Sequence, residues 1–290
     1  MQVLKSHCSI VVSFSPDFHL FVAVPQNVSL LHTKSSRSEN SQANMSYDPV
    51  WALATADGEP KVVFVGRESG TLQKLPAAAP QQEVLLSIEA HTSTITAITP
   101  VSADEVYTCS TDKTIKQWNV AAEVEGKRLL KTLEVSDPLR CLAVQGETIY
   151  AGSDAGAIHV FTAEGASEWE GHKDAVVSIS LGEAQLCSAG YDNQIRVWDF
   201  AGRALFALVG HNNQVKFSTI IGGNVVSSSR DQTIRVWTLP AEGDDAAPEA
   251  KEGEEGDNTA PAAAQPAAKV VFPSGYISLP SVPTSHTLVG

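Results

Sequence analysis

Three groups of side chains in this chain repeat one combination, a histidine, a hydroxyl and an aspartate: His91 with Thr108 and Asp112, His172 with Ser188 and Asp192, His211 with Ser227 and Asp231. An imidazole held between a hydroxyl and a carboxylate can take the hydroxyl proton and so create an acyl-transfer nucleophile. Two features point to another use. A catalytic triad occurs once in a domain, whereas this set occurs three times, each followed by a tryptophan, Trp118, Trp198 or Trp237, whose indole N–H can only donate. No Gly-x-Ser-x-Gly elbow is present to expose a serine at a strained turn. Repetition with a Trp donor fits a buried polar network whose members satisfy one another, so no residue is assigned a catalytic role.

The elements that must position these groups follow from the spacing. A phrase is written three times, Ser110-Thr-Asp-Lys-Thr-Ile-Lys-Gln-Trp118, Gly190-Tyr-Asp-Asn-Gln-Ile-Arg-Val-Trp198 and Ser229-Arg-Asp-Gln-Thr-Ile-Arg-Val-Trp237. Taking aspartates as markers, Asp112, Asp154, Asp192 and Asp231 stand 42, 38 and 39 residues apart. A period near 40 marks a repeat architecture of four consecutive units. Runs such as Val106–Cys109, Thr148–Ala151, Gln185–Ser188 and Asn224–Ser227 are rich in β-branched residues and bounded by turn formers, and read as strands. The Asp sits at a hairpin turn, where its carboxylate bonds nearby backbone, and the Trp falls in the next strand.

Gly-His, an inner strand, a Ser/Thr in the second strand, the turn Asp, and Trp closing the third resemble the WD40 family, with the literal Trp-Asp pair at Trp198-Asp199. The resemblance implies an all-β propeller of four-stranded antiparallel blades. It implies three structural tetrads: His91, Thr108, Asp112, Trp118; His172, Ser188, Asp192, Trp198; and His211, Ser227, Asp231, Trp237. The unit around Asp154 departs from it, with Ser136-Asp137 in the Gly-His region, Tyr150 at the Ser/Thr position and Phe161 near the Trp position. Its blade is expected without the full network. Residues just before the turn Asp face the recognition surface in the family, which carries over to Thr111, Ser153, Tyr191 and Arg230. Trp51 and Trp169 are read as packing residues in strands.

Elsewhere, Ser9–Pro16, His19–Val24 and Asn27–Leu31 read as three strands in blade order, and Asp48–Ala54, Lys61–Val65 and Gly70–Leu75 repeat it, giving two degenerate blades. Thr33–Ser46 is polar and reads as a long loop, and Leu85–Ile88 as the outer strand leading into His91. From Ala241 to Asp257 eight acids face one base, and Ala and Pro dominate through Ala268. With no apolar residue larger than Ala, this acidic Ala/Pro-rich segment, 241–268, reads as disordered. Residues 269–290 return to strand signals that complete or close the last blade, so 1–240 carries six blades and the ring is expected to hold seven, six being the alternative.

The formal charge is −13 over 290 residues, of which −7 falls in the acidic segment. That balance disfavours direct binding to phosphate backbones. Four separated cysteines, Cys8, Cys109, Cys141 and Cys187, without a Cys-x-x-Cys pair, suggest neither a disulfide framework nor a metal site. The first residues lack the pattern of a secretory leader, and no stretch reaches the roughly 20 apolar residues that span a bilayer. A reducing compartment, cytoplasm or nucleus, is therefore expected, with no membrane insertion and no cofactor. The inner strands offer only Arg140 and Lys216 as charges, too few for a convergent catalytic site. The expected function is a non-catalytic scaffold or adaptor, one copy within a multiprotein complex, binding proteins or peptides on its faces. Two narrower alternatives stand beside it. One is a ribonucleoprotein or ribosome-associated subunit, because Ser228–Trp237 resembles a phrase of ribosome-bound WD40 scaffolds. The other is a ubiquitin-ligase substrate adaptor, whose motif is partial here because Ala201 stands where Arg or Lys would follow Trp198-Asp199.

Overall fold

The structure is a computed structural model that describes residues 48–56, 61–77, 84–122, 127–240 and 269–278. The strands expected over Ser9–Leu31, the loop Thr33–Ser46, the acidic segment 241–268 and the last twelve residues lie outside them. The chain divides into two compact units, one ending at Glu168 and the other beginning at Trp169.

In the first unit, β1 (Val50–Ala56), β2 (Val62–Arg67), β3 (Thr71–Pro76) and β4 (Leu86–Glu89) form one sheet in chain order. β5 (Ile95–Pro100), β6 (Glu105–Ser110), β7 (Thr114–Asn119) and β8 (Leu129–Glu134) form the next, and β9 (Leu139–Gln145), β10 (Thr148–Ser153), β11 (Ala157–Phe161) and β12 (Ala166–Glu170) the third, β12 running two residues past the end of that unit. In the second unit, β13 (Val176–Leu181), β14 (Gln185–Gly190), β15 (Ile195–Asp199) and β16 (Ala204–Leu208) form a sheet, followed by β17 (Val215–Ile221), β18 (Asn224–Ser229) and β19 (Thr233–Thr238). Neighbours in chain order pair antiparallel through short hairpins, the local pairing that a repeat of about 40 residues permits.

Burial follows position within a sheet. In the middle strand β10, Ile149 to Ser153 are all buried, while the outer strand β8 is mostly exposed. Hydroxyls tie adjacent inner strands within each unit. Thr96 Oγ1 donates to the Leu139 carbonyl at 2.8 Å in the first, and Ser178 Oγ to the Ser218 carbonyl at 3.3 Å in the second. Side chains from neighbouring sheets share each core: Phe64, Leu72, Ile95 and Val106 in the first unit, Val197, Leu208, Val225 and Trp237 in the second.

The strands after the acidic segment join sheets already present. β20 (Lys269–Val271) adds to β16 as a parallel fifth strand, and β21 (Gly275–Ser278) pairs antiparallel with β19 as its fourth. The reason is the unpaired backbone along the free edge of β19. Five sheets are thus present among the described residues. Among those residues no helix is long and apolar enough to cross a membrane.

Candidate functional site

Each sheet ends, at its β-turn between second and third strands, in the same construction. A residue with positive φ closes the turn: Gly70 (87°), Lys113 (70°), Gly156 (91°), Asn193 (67°) and Gln232 (65°). Two residues earlier, a backbone N–H reaches across to the carbonyl that precedes the inner strand: Glu68 to Pro49, Thr111 to Thr94, Asp154 to Pro138, Tyr191 to Ala175 and Arg230 to Gln214, at 2.8–3.1 Å. These bonds put the five sheets in one register without reference to residue type.

Below the turn lie the three repeated sets, and the structure brings each together. Trp118 Nε1–H donates to Thr108 Oγ1 at 2.9 Å, Thr108 Oγ1 lies 2.8 Å from His91 Nε2, and His91 Nδ1 lies 2.9 Å from Asp112 Oδ2. The second set reads 2.8, 2.7 and 3.0 Å through Trp198, Ser188, His172 and Asp192. The third reads 2.8, 2.7 and 2.8 Å through Trp237, Ser227, His211 and Asp231. An indole N–H can only donate and a carboxylate only accept, so one proton arrangement satisfies all four groups. The hydroxyl receives from Trp and gives to Nε2 of a neutral imidazole, whose Nδ1–H gives to Asp.

The carboxylates have further donors. Backbone N–H groups of Thr92, Lys173 and Asn212 each reach the Asp at 3.1 Å. Burial by itself would raise the Asp112, Asp192 and Asp231 carboxyls, yet hydrogen bonds from His91 and Thr114, from His172, and from Thr233 and His211 reverse the sign and hold all three below the usual carboxylate range. Burial also lowers His91 and His211, and outweighs the pull of the neighbouring carboxylates. The three hydroxyls are 0–1 % exposed, so the proton chain faces packed protein and joins second and third strands to the loop before the first. Gly171 is small for the same reason: a Cβ there would run into the Trp198 indole.

The register corrects the reading of the unit around Asp154. Ala155 occupies the turn-Asp position, because Gly156 makes the turn without help from a carboxylate. Asp154 stands one place earlier, where Thr111, Tyr191 and Arg230 stand. Ser153, expected on the recognition face, is fully buried, donating to the Ala157 carbonyl and accepting its N–H. The Ser/Thr position is Ala151, which pairs with His159 as Thr108 pairs with Lys116, and not Tyr150. Val135, not Ser136-Asp137, takes the place of the histidine, three residues before the turn-bonded carbonyl of Pro138. The whole network is thereby replaced by apolar groups.

At the surface, the turn end carries two varying positions per sheet. One is the pre-turn residue, Glu68, Thr111, Asp154, Tyr191 or Arg230. The other was not singled out as a class from the sequence. In every sheet the inner strand is bulged at its turn end, and the skipped residue is Trp51, Thr96, Arg140, Val177 or Lys216. A bulge leaves its extra residue unpaired and re-aims the side chain. In the first unit the Arg140 guanidinium thus grips the Asp154 carboxylate through both Nε and Nη2. In the second, Lys216 Nζ lies 3.9 Å from the Tyr191 ring centroid, and Gln214 Oε1 accepts from Lys216 Nζ and from Arg230 Nη1, each at 3.3 Å. Thr111 Oγ1 is paired with Ser93 Oγ at 2.8 Å. Trp169 is buried against Trp198 with ring centroids 5.7 Å apart, whereas Trp51, expected to pack in the core or at a sheet edge, is exposed.

The profile of the family described as "WD domain, G-beta repeat" matches residues 82–119, 165–199 and 202–238, the three segments that hold the closed proton chains. These are WD40 repeats. The fold is also similar to a solved structure, "Crystal structure of RRP9 WD40 repeats", with TM-score 0.57 and 21 % identity over 67 % of this chain and 63 % of that one. Among curated relatives, the zinc finger CCCH domain-containing protein 17 of Oryza sativa subsp. japonica is 27 % identical over 54 % of this chain and 37 % of its own length. The U5 small nuclear ribonucleoprotein 40 kDa protein of Dictyostelium discoideum is 32 % identical over 38 % and 32 %. The chain thus spans about a third of the curated relatives it matches. The WD40 profile passes over β9, β10 and β11, in agreement with the apolar substitute for the network there.

Proposed function

We propose that this WD40 chain is a non-catalytic scaffold or adaptor that docks proteins or peptides on the turn end of its sheets, within a multiprotein complex of the cytoplasm or nucleus. One observation carries the reading. The same backbone construction recurs in five sheets, three of them over the same buried proton chain, while the side chains at its bulge and pre-turn positions differ in chemistry from sheet to sheet: Trp51 and Glu68, Thr96 and Thr111, Arg140 and Asp154, Val177 and Tyr191, Lys216 and Arg230. A rigid frame presenting varied groups suits recognition, because binding does not then require ordering the frame. Tyr191 and Arg230 are of the types that dominate interface energetics.

The test is affinity purification of the tagged protein under mild salt, with quantitative mass spectrometry, beside a Tyr191→Ala/Arg230→Ala variant. A stoichiometric partner set that falls away in the variant supports the reading. An unchanged set, or none, overturns it for this face. A second reading, membership of a ribonucleoprotein, is favoured by the likeness to the U5 40 kDa protein. With a net charge of −13, such membership would run through protein contacts, so RNA retention should withstand a rise in salt that strips direct phosphate contacts.

A further inference from the structure

Of the five tryptophans in the chain, four are buried: Trp118, Trp169, Trp198 and Trp237 are 0–7 % exposed. The fifth, Trp51, is 42 % exposed. It is the bulge residue of β1, so the backbone itself turns the indole toward the end of the sheet where Glu68 sits before the turn. The indole Nε1–H points at Glu68 Oε2 from 3.5 Å, which places a carboxylate beside the ring. The turn is held from beneath, since Ser69 N–H and Oγ donate to the two Asp48 carboxylate oxygens at 2.9 and 2.8 Å.

The second unit shows what such a position can hold. There Lys216, also a bulge residue, lays its ammonium over the Tyr191 ring. Among the described residues no ammonium or guanidinium lies over Trp51, and none is within ion-pair distance of Glu68. The nearby Arg67 is turned away, with Nε on Gln73 Oε1 at 3.0 Å and Nη1 on the Asp48 carbonyl at 2.8 Å. An exposed indole is the strongest of the aromatic faces for a cation, and an adjacent carboxylate adds a charge-assisted contact. The whole chain, at −13, draws basic partners toward it.

We propose that Trp51 and Glu68 form a binding site for a lysine or arginine side chain in a basic segment of a partner protein. The cation lies over the indole face, and its N–H groups reach the Glu68 carboxylate. The inference rests on reading the turn end of the sheets as the docking surface, and adds the chemistry of one partner.

The experiment uses the full chain and a labelled peptide of alternating Lys and Ser, followed by fluorescence anisotropy, with a norleucine-for-lysine counterpart as control. The Lys peptide should bind, weaken with salt, and lose about tenfold or more in affinity in both Trp51→Ala and Glu68→Gln, while Trp51→Phe keeps part of the binding. Acrylamide should quench a red-shifted emission that Trp51→Phe removes and the Lys peptide protects. Equal binding by the norleucine peptide, or affinity unchanged in Trp51→Ala and Glu68→Gln variants with wild-type circular dichroism, overturns the proposal. So does a Trp51 emission closed to acrylamide, which would mean that another segment of the chain already covers the ring. Co-purification that depends on Tyr191 and Arg230 while the peptide ignores Trp51 and Glu68 would sink this site and leave the scaffold standing. Peptide binding at Trp51 without any cellular partner would do the reverse.

Discussion

Replacing Ser188 by alanine removes one oxygen and strands two neighbours. Trp198 Nε1–H loses its acceptor at 2.8 Å and His172 Nε2 its donor at 2.7 Å, both from a hydroxyl with no exposure to water. Each orphaned buried group costs about 1–3 kcal/mol, so the substitution should destabilise by about 2–4 kcal/mol, far above the near-zero effect of a surface Ser→Ala. The sheet of β9–β12 shows how the same positions fold without the network, with Val135, Ala151 and Phe161 in place of His, Ser and Trp. Adding Trp198→Phe to Ser188→Ala therefore removes one of the two orphans. The double variant should be less destabilised than the two single changes combined, with a coupling of about 1–2 kcal/mol. Urea unfolding followed by circular dichroism, read at constant slope so that midpoints report stability, measures all three. A Ser188→Ala cost under about 0.5 kcal/mol, or strict additivity of the pair, would refute the argument that the hydroxyl is the shared hinge of the chain.

Acid should weaken the fold in two stages. Because His91 and His211 are lowered in the fold, the unfolded chain takes their protons first as pH falls through the ordinary histidine value of 6.5, and because Asp112, Asp192 and Asp231 are lowered too, their contribution, complete above 3.8, is lost below it. Urea midpoints that rise from pH 7 to pH 5 would contradict the histidine shifts, and midpoints that hold steady from pH 4 to pH 2 would contradict the aspartate shifts. Gly171→Ala should cost about 1–3 kcal/mol, because the Trp198 indole must move off its place; an unchanged melting temperature would show that the ring yields freely. Burial pushes the Cys109 and Cys187 thiols up to about 12 and raises Cys141 as well, so a Cys8→Ser variant should not react with Ellman's reagent at neutral pH until unfolded, and fast labelling would place a thiol at the surface.

The repeat carried most of the fold in plain sight, because the first three or four strands of each sheet are adjacent in sequence and each network draws its four members from within about 30 residues. Where a unit replaced that network, the signal failed by one residue. Asp154 looked like the turn marker, yet the turn needed only the free φ of Gly156, and Ser153 went inside. The bulges were not legible either, since a bulge is a mismatch between two strands and has no residue type of its own; Trp51, Arg140 and Lys216 have nothing in common except the place where pairing slips. Residue identity and period therefore determined the WD40 repeats and their buried proton chains, which local bonding can build. Only the tertiary structure decided which side chains leave the sheets, and which sheet the strands after the acidic segment complete, because both depend on backbone register between segments brought together by folding.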